Sequence, residues 1–474
     1  MLIVFAPLKG CCRVVFLEQR SSGRLFRYLK QRGDNLQLWL SCKTSTNKAG
    51  TMSDVLSKQA LACIQIPSYS QKYFRAVRSN RYHPTDNPQG VVDFGLAENK
   101  LCEDLLLEKM SEIAKIPEPK DLLYYEKATG NVSFRQSMAR YIEKMFHTRE
   151  PISADNVFIT NGVTVIIEAV AFAFADPGDY IMVPNPYYYR TIFDIFERPG
   201  VNILDVPLTR LHGDSTGRYS LDSQVLEQVY RKAVKEGKRV RAVMVNNPVN
   251  PSGDVIGAEQ LKELLDFAHR HKLQVFSNEI YAFSVHDPDV KFTSILSLPH
   301  PDPESVHFAW GVSKDTGLSG YRCGFVHTKN PAFLQYLTNT LIYFRAAGII
   351  QHRLQNFLDD HEYMEKVFFR TMKERIHNRF EELRSVLEKY GARVHPSAST
   401  VFIWVDFSKF LPEPTPEGEL WLCEQFIQEQ VFVVPGFDYR SEKPGMFRIC
   451  YSIHEAAYEY GKKGIIKVLQ RLQA

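Results

Sequence analysis

The stretch that decides the fold runs from Val306 to His327 and reads VHFAWGVSKDTGLSGYRCGFVH. Its two ends, Val306–Trp310 and Cys323–His327, are short apolar runs typical of buried strands. Between them lie several glycines, one lysine (Lys314) and one arginine (Arg322). In open α/β sheets ligands bind outside the carboxyl ends of the strands. A lysine and an arginine directly after a buried strand therefore predict a ligand-holding loop.

Runs of the same kind recur upstream, and each leads into a polar loop. The predicted strands are Val157–Thr160, Tyr180–Val183, Ala242–Val245 and Leu273–Ser277. Helical patterns lie between several of them, as at Glu259–His271, where apolar residues recur at the spacing of a buried stripe. This alternation predicts an α/β fold with a mostly parallel sheet.

The pattern changes beyond residue 350. Apolar residues at helical spacing from Met364 to Leu387 predict one long helix that stops at Gly391. Strand signals follow at Thr400–Val405 and Phe447–Tyr451. We therefore predict four segments, namely a basic leader (1–52), an N-terminal arm that completes the small domain (53–100), a large sheet domain (101–345) and a small C-terminal α+β domain (346–474).

The net charge of +4 is unevenly distributed along the chain. Residues 1–52 hold nine Lys or Arg against Glu18 and Asp34, a balance of +7, so the remainder carries −3. We therefore expect no nucleic-acid surface on the folded part. The leader is either a transit peptide or a mis-called start upstream of Met52. The expected compartment is the cytoplasm, or the mitochondrion if the leader is a transit peptide.

Two further classes are disfavoured by composition. The longest apolar candidate, Val163–Ala175, is too short to span a membrane and contains Glu168, so it predicts a buried helix and no membrane partner. The eight cysteines lack paired ligand spacing, which argues against a disulfide framework or a zinc site.

The loops after the predicted strands carry complementary chemistry. Asn161–Thr164 precedes a helix, where free N–H groups suit a phosphate. Tyr187–Tyr189 offers an aromatic face to a flat ring. Asn250 and Tyr281 supply hydrogen bonds, and Lys314 supplies an amine. A phosphate cradle, a stacking ring, donors and one lysine are the parts that hold pyridoxal phosphate as a Schiff base.

Four stretches of the chain carry a family resemblance. They read GLAEN (95–99), NPVNPSG (247–253), SKDTGLSGYRCG (313–324) and FRIC (447–450). They resemble 1-aminocyclopropane-1-carboxylate (ACC) synthases and their aminotransferase relatives, and the likeness runs from about Asp93 to the C-terminus. The resemblance implies the fold-type-I architecture, a homodimer with active sites at its interface, and pyridoxal-phosphate chemistry at Cα of an α-amino acid.

The resemblance also implies roles for particular residues. Lys314 would bind the cofactor covalently and would be the catalytic residue. The implied cofactor-binding residues are Ser313 beside that lysine, Arg322 and the backbone of Val163 and Thr164 at the phosphate, Tyr188 on the ring face, Asn250 and Tyr281 at the 3-oxygen, and Asn278 near the pyridine nitrogen. Glu98 would lie near the substrate. Arg448 would grip the substrate α-carboxylate in a bidentate way.

Three positions depart from the family pattern. Asn278 stands where the family has an aspartate that keeps the pyridine nitrogen protonated, and an amide carries no such charge. Glu279 is not an obvious substitute, because neighbouring strand residues face opposite sides, although a local register shift would bring it in. Gly311 replaces a serine that donates to the phosphate. Ala128 replaces a tyrosine that reaches in from the partner subunit.

These departures leave several functions open. Transamination is the least demanding, since it needs only proton transfer that Lys314 can perform. ACC formation ranks second because of Ala128, and carbon–sulfur bond cleavage by elimination requires the same proton removal. A catalytically impaired aminotransferase-fold protein is the alternative that Asn278 and Gly311 motivate. A fused DNA-binding regulator is disfavoured, because the leader has no helix-turn-helix pattern.

Overall fold

The computed structural model describes residues 2–8, 11–17, 55–65, 73–74, 77–210 and 215–473. Contacts divide the chain into two units, Met1–Ile64 and Gln65–Ala474. In the first unit β1 (Leu2–Leu8) and β2 (Cys11–Leu17) pair as an antiparallel hairpin, and helix α1 is Lys58–Gln65. Most of the predicted leader lies outside the described residues, so its function as a targeting segment stays a prediction.

A seven-stranded sheet forms the centre of the second unit, in the order β4-β10-β9-β8-β7-β5-β6. Its strands are β4 (Val157–Thr160), β5 (Tyr180–Asn185), β6 (Asn202–Pro207), β7 (Val240–Asn246), β8 (Gln274–Asn278), β9 (Val306–Gly311) and β10 (Gly324–Thr328). All are parallel except β10, which runs antiparallel to both of its neighbours. The mostly parallel sheet is therefore confirmed.

The strand predictions hold for this sheet, with one omission. The predicted β4 has the observed bounds, and the other five predicted strands differ from theirs by a few residues at most. The strand that was not predicted is β6, which lies at the edge of the sheet, is mostly half-buried and contains Asp205. Such an edge strand lacks the continuous apolar run that marks a strand buried on both faces.

Helices cover both faces of this sheet, and shorter ones lie at its ends. They are α2 (Glu103–Ile113), α3 (Val132–Met145), α4 (Val163–Phe174), α5 (Arg190–Phe196), α6 (Ser223–Lys235), α7 (Ala258–His271), α8 (Pro331–Thr340) and α9 (Gly348–Leu358). Alternate strand residues enter two separate cores, as Met244 and Ala309 do on one face and Val245 and Trp310 on the other. Because both faces are covered, the edge at the carboxyl strand ends is where a ligand can reach the sheet.

The C-terminal part contains a second, smaller sheet in the order β11-β12-β15-β14, and a two-stranded pair of β3 with β13. Its elements, with β3, are β3 (Val92–Asp93), α10 (Phe369–Lys389), β11 (Arg393–Val394), β12 (Phe402–Asp406), α11 (Pro416–Gln428), β13 (Val431–Phe432), β14 (Val434–Pro435), β15 (Met446–Cys450) and α12 (Glu455–Gln473). The predicted long helix is present, but its first part, Tyr363–Phe368, is a π-helix. The predicted boundaries at 100/101 and 345/346 stay predictions.

Two classes of feature are missing from the part of the chain that the structure describes. No helix there is long and apolar enough to cross a membrane. No group of three or more His, Cys, Asp or Glu side chains there is arranged to hold a metal ion.

Candidate active site

A cavity of about 230 Å³ lies at the carboxyl ends of the central strands. It brings together residues that are far apart in sequence and come from several loops. The predicted site residues that line it are Val163, Thr164, Tyr188, Asn250, Asn278, Tyr281, Ser313, Lys314, Arg322 and Arg448. Glu98 is one hydrogen bond removed from the cavity, because its Oε1 accepts from Oγ of the lining residue Ser319 at 3.1 Å. The residues that the sequence places after separate strands therefore lie together around one cavity.

Lys314 presents its amine to this cavity. Its Nζ donates to the carbonyl oxygen of Ala97 at 2.5 Å. Burial lowers the pKa of this amine to about 8, and the charge of Arg448 adds to that fall. Glu98 and Cys450 oppose it. A lysine with such a pKa holds an appreciable uncharged fraction near neutral pH, as covalent attachment of a carbonyl compound requires.

Arg322 lies over the start of helix α4, where free N–H groups and the helix dipole favour an anion. Gly162 caps this helix with φ of +90°. A Cβ on Gly162 would lie 2.6 Å from Nη2 of Arg322, so glycine is required for the guanidinium to approach the helix end. Arg322 and the backbone of Val163 and Thr164 together form a site that suits a phosphate.

The packing around Gly311 explains why no serine stands there. Gly311 pairs with Gly324 across β9 and β10. A Cβ on Gly311 would lie 2.9 Å from the carbonyl oxygen of Cys323 and 3.0 Å from Cγ2 of Val163. Likewise, a Cβ on Gly324 would lie 2.8 Å from the backbone nitrogen of Val163. The two glycines therefore let these strands lie directly against the turn at residues 162–164, the phosphate-site turn.

Arg448, on β15, is almost fully buried and held from several sides. Its Nη1 donates to Oδ1 of Asn250 at 3.0 Å, and its Nη2 donates to the carbonyl oxygen of Gly95. The rings of Phe402 and Tyr439 lie 4.9 and 5.0 Å from the guanidinium carbon. Within the described residues its Nε has no hydrogen-bond partner. A fixed guanidinium with an unused donor suits a carboxylate ligand.

Asn250 and Tyr281 are positioned to act as hydrogen-bond donors. The carbonyl side of the Asn250 amide is already engaged by Arg448. Tyr281 is buried, with its ring edge-on to Phe402 at 5.5 Å. Burial raises the pKa of Tyr281 well above its ordinary value, so it remains a neutral phenol with a proton to donate.

Asn278, the last residue of β8, and Glu279, which follows it, point to opposite sides of the sheet, as strand alternation predicts. Asn278 lines the cavity, and its Oδ1 finds no hydrogen-bond partner among the described residues. Oε1 of Glu279 accepts from Oγ of Ser277 at 2.9 Å and from the backbone N–H of Ile295 at 2.8 Å. The register shift that would bring Glu279 into the cavity does not occur, because Asn278 pairs in register with Asn246.

The cavity also contains residues that the sequence analysis did not select. Phe74 lies next to Tyr189, with ring centroids 6.0 Å apart, and both line the cavity. Asp194 and Asn246 line it as well. Asn246 follows a predicted strand and could have been found from that position. Asp194 is four residues after Arg190, a spacing that usually indicates an exposed ion pair on a helix.

The residues present fit pyridoxal phosphate in most respects. The chain offers an amine, an anion site, an aromatic side chain (Tyr188) and donors around one cavity. The unpartnered Oδ1 of Asn278 provides a polar contact for the ring nitrogen, although without the charge of a carboxylate. When bound, this cofactor supplies an electron sink for bonds at Cα of an amino acid.

Comparison with known proteins supports the same conclusion. Residues 92–465 match the model of the family described as aminotransferase class I and II. The 1-aminocyclopropane-1-carboxylate synthase-like protein 1 of Mus musculus is 30% identical over 403 residues, which cover 85% of this chain and 80% of that protein. A second Mus musculus protein, the probable inactive 1-aminocyclopropane-1-carboxylate synthase-like protein 2, is 28% identical over 407 residues, covering 85% and 70%.

A solved structure has the same fold. A double mutant of Thermus thermophilus aspartate aminotransferase superposes with a TM-score of 0.72 at 19% identity, covering 87% of this chain and 99% of its own. The resemblance to ACC synthases, the fold-type-I architecture and the cofactor class are thereby confirmed. The chain belongs to the class I and II aminotransferase family, whose members depend on pyridoxal phosphate.

Proposed function

We propose that this protein binds pyridoxal phosphate through Lys314 and catalyses transamination of an α-amino acid. The observation that carries the proposal is the position of the Lys314 amine in one cavity with two arginines. Arg322 lies at the phosphate-site turn, and Arg448 is buried among Asn250, Gly95 and two aromatic rings. An amine between two anion sites is the arrangement that this reaction requires.

The proposed reaction gives each of these residues a different role. Arg322 and the N-terminus of α4 hold the phosphate. Arg448 binds the substrate α-carboxylate through its remaining donor capacity, so that the bond to the Cα proton is oriented towards Lys314. With a pKa of about 8, Nζ of Lys314 can accept that proton and later return it. Phe74 and Tyr189 form an apolar wall, which favours a substrate with an apolar or aromatic side chain.

We further propose that the active form is a homodimer. Leu123, Tyr124 and Tyr125 are 80%, 70% and 99% exposed, and Tyr343 is 84% exposed. Backbone and side-chain hydrogen bonds tie the segments of these residues to the site. Nη1 of Arg345 donates to the Glu126 carbonyl at 2.9 Å, and the N–H of Asn161 donates to the Phe344 carbonyl at 2.7 Å. An aromatic surface beside the phosphate-site turn suits a second copy of the chain.

The second candidate function is a cofactor-binding protein with little catalysis. Asn278 favours it, because the cofactor ring loses the adjacent carboxylate that strengthens the electron sink. The match to a relative named as probably inactive supports the same alternative. ACC formation and carbon–sulfur elimination are further candidates that the same cavity would serve, and Ala128 keeps ACC formation below transamination.

The first experiment tests cofactor binding. The full-length protein is mixed with pyridoxal phosphate, reduced with borohydride, and digested for peptide mapping. We expect a visible absorption band that borohydride bleaches, with the label on Lys314. The Lys314→Ala variant should lose both, whereas Lys373→Ala, which alters a lysine outside the cavity, should keep them. A wild-type protein without the band would contradict the proposal.

The second experiment separates the reactions. The protein is incubated with amino acids plus keto acids, with S-adenosylmethionine, and with cysteine conjugates. New amino acid from the first mixture supports transamination, ACC from the second supports synthase activity, and pyruvate or a thiol from the third supports elimination. If the cofactor binds and nothing is turned over, the impaired alternative is correct.

A further inference from the structure

Asp194 is a buried carboxylate that lines the cavity and has no assigned role. It lies on the short helix α5, which follows the ring-stacking residue Tyr188, and is 5% exposed. Its Oδ1 accepts from Nε of Arg190 at 3.0 Å. Its Oδ2 finds no hydrogen-bond partner within the described part of the chain. At the cavity wall, one oxygen of the Asp194 carboxylate therefore remains able to interact with a bound molecule.

The charges around Asp194 leave a surplus of negative charge. Arg190 also donates from Nη2 to Oε2 of Glu197 at 2.9 Å, so one guanidinium serves two carboxylates. On the neighbouring helix α4, Glu168 is paired with Arg198 at 3.0 Å. Burial raises the pKa of Asp194 to about 7, so at pH 7.5 this carboxyl is mostly ionised and the cluster then carries one net negative charge. Its most buried carboxylate is Asp194, since the Glu197 side chain is 25% exposed.

Asp194 is the one carboxylate among the described residues that line the cavity, so no other lining side chain there offers a negative charge to a bound cofactor. Asn278 shares the cavity and has an unpartnered Oδ1, but it is neutral. Glu279 faces the opposite side of β8 and is bonded there to Ser277 and Ile295. Because Asp194 is buried, its charge is screened less and acts over a longer distance than a charge in solvent.

We propose that Asp194 supplies the negative charge that Asn278 lacks, and so keeps the pyridine nitrogen of the bound cofactor protonated. The inference rests on the proposed function, because it requires the cofactor to bind in this cavity. Asp194 acts at a distance through its charge and does not take the place of residue 278. It is therefore a positioning residue and not a catalytic one. Asn278, whose Oδ1 has no partner among the described residues, then serves as the neutral hydrogen-bonding contact of the ring nitrogen.

The test reads the protonation of the ring directly. Full-length protein is loaded with pyridoxal phosphate that carries ¹⁵N in the ring, and the nitrogen chemical shift is measured at pH 7.5. We expect the protonated shift in the wild type and the unprotonated shift in Asp194→Asn. The double variant Asp194→Asn with Asn278→Asp should regain the protonated shift. Asp406→Asn, which alters a buried carboxylate outside the cavity, should keep it.

The outcomes distinguish this inference from the function on which it rests. Bound cofactor with an unprotonated nitrogen in the wild type would overturn the inference alone, whatever happens to the variants. A protonated nitrogen in Asp194→Asn would overturn it as well. If Asp194→Asn fails to fold, Asp194→Ser is measured in its place, and a protonated nitrogen in that variant overturns the inference. Failure of the wild type to bind the cofactor would instead refute the proposed function, and the inference with it.

Discussion

Nη1 of Arg448 donates to Oδ1 of Asn250 at 3.0 Å, which joins the second, smaller sheet to the loop after β7. A residue assigned to the substrate thus also orients a residue assigned to the cofactor. Because the Asn250 carbonyl group is engaged, the amide N–H groups face other partners. The two binding functions are therefore coupled through one hydrogen bond.

Replacing Arg448 with lysine should weaken both functions. Lysine cannot reproduce the planar fork that reaches Asn250 and Gly95 together. We expect KM for the amino acid to rise by about a hundredfold. Cofactor affinity should fall less. KM is measured from the rate of turnover against amino acid concentration, and cofactor affinity by titration against the visible band. The matched control is Arg375→Lys, in an ion pair with Asp104 outside the cavity. An unchanged KM in Arg448→Lys would contradict the assignment.

The pKa of Lys314 predicts how cofactor attachment depends on pH. The uncharged amine is the nucleophile, so attachment should accelerate as pH rises through about 8 and level off above it. At pH 7 about a tenth of the amine is uncharged, far more than for an ordinary lysine. The measurement is the rate at which cofactor-free protein forms the visible band. A rate that keeps rising tenfold per pH unit beyond pH 9 would contradict the lowered pKa.

Restoring the serine that the family has at residue 311 should not improve the site. In Gly311→Ser the new Cβ would meet the Cys323 carbonyl oxygen and Val163 at distances too short for unstrained contact. We expect a loss of about 1–3 kcal/mol in unfolding free energy and weaker cofactor binding. The control is Gly320→Ser, where no described atom lies within 4 Å of the added Cβ. Tighter cofactor binding in Gly311→Ser would refute the packing argument.

The exposed side chains of Tyr125 and Tyr343 belong to the surface that we propose is buried in the dimer, so making them polar should weaken dimerisation. The double variant Tyr125→Ser with Tyr343→Ser should shift the protein from dimer towards monomer, because it removes exposed apolar area that a second copy would bury. Light scattering coupled to size exclusion measures the mass. Val234→Ser, at a half-exposed position on α6, is the control and should stay dimeric. A monomeric wild type would refute the homodimer.

The sequence predicted the strands well where one physical rule governs them, and the roles of the site residues stay predictions. Strands buried on both faces form uninterrupted apolar runs, and their ends mark the ligand edge, so Lys314 and Asn250 could be placed before any coordinates. The edge strand β6 could not, because it has no continuous apolar run. The antiparallel direction of β10 could not either, because an apolar run gives no information on strand direction. The π-helix at Tyr363–Phe368 keeps the apolar spacing of an ordinary helix, which hides it.

The residues that were missed are those whose burial depends on distant parts of the chain. Asp194 reads as half of an exposed helical ion pair, and only the packing of α5 against α4 buries it. Phe74 comes from a segment that precedes the large sheet by many residues, and its contact with Tyr189 is a tertiary one. Spacing rules describe neighbours along one element and give no information on such contacts.

The contact of Gly311 with Cys323 and Val163 also bears on how this chain can change over time. A serine at residue 311 needs the turn at Val163 and the strand beginning at Gly324 to move together. Those neighbours also belong to the anion site, so a side chain added at residue 311 strains the same backbone that would bind the phosphate. A change at Arg322 does not need that movement, so phosphate binding is adjusted at lower cost there than at residue 311.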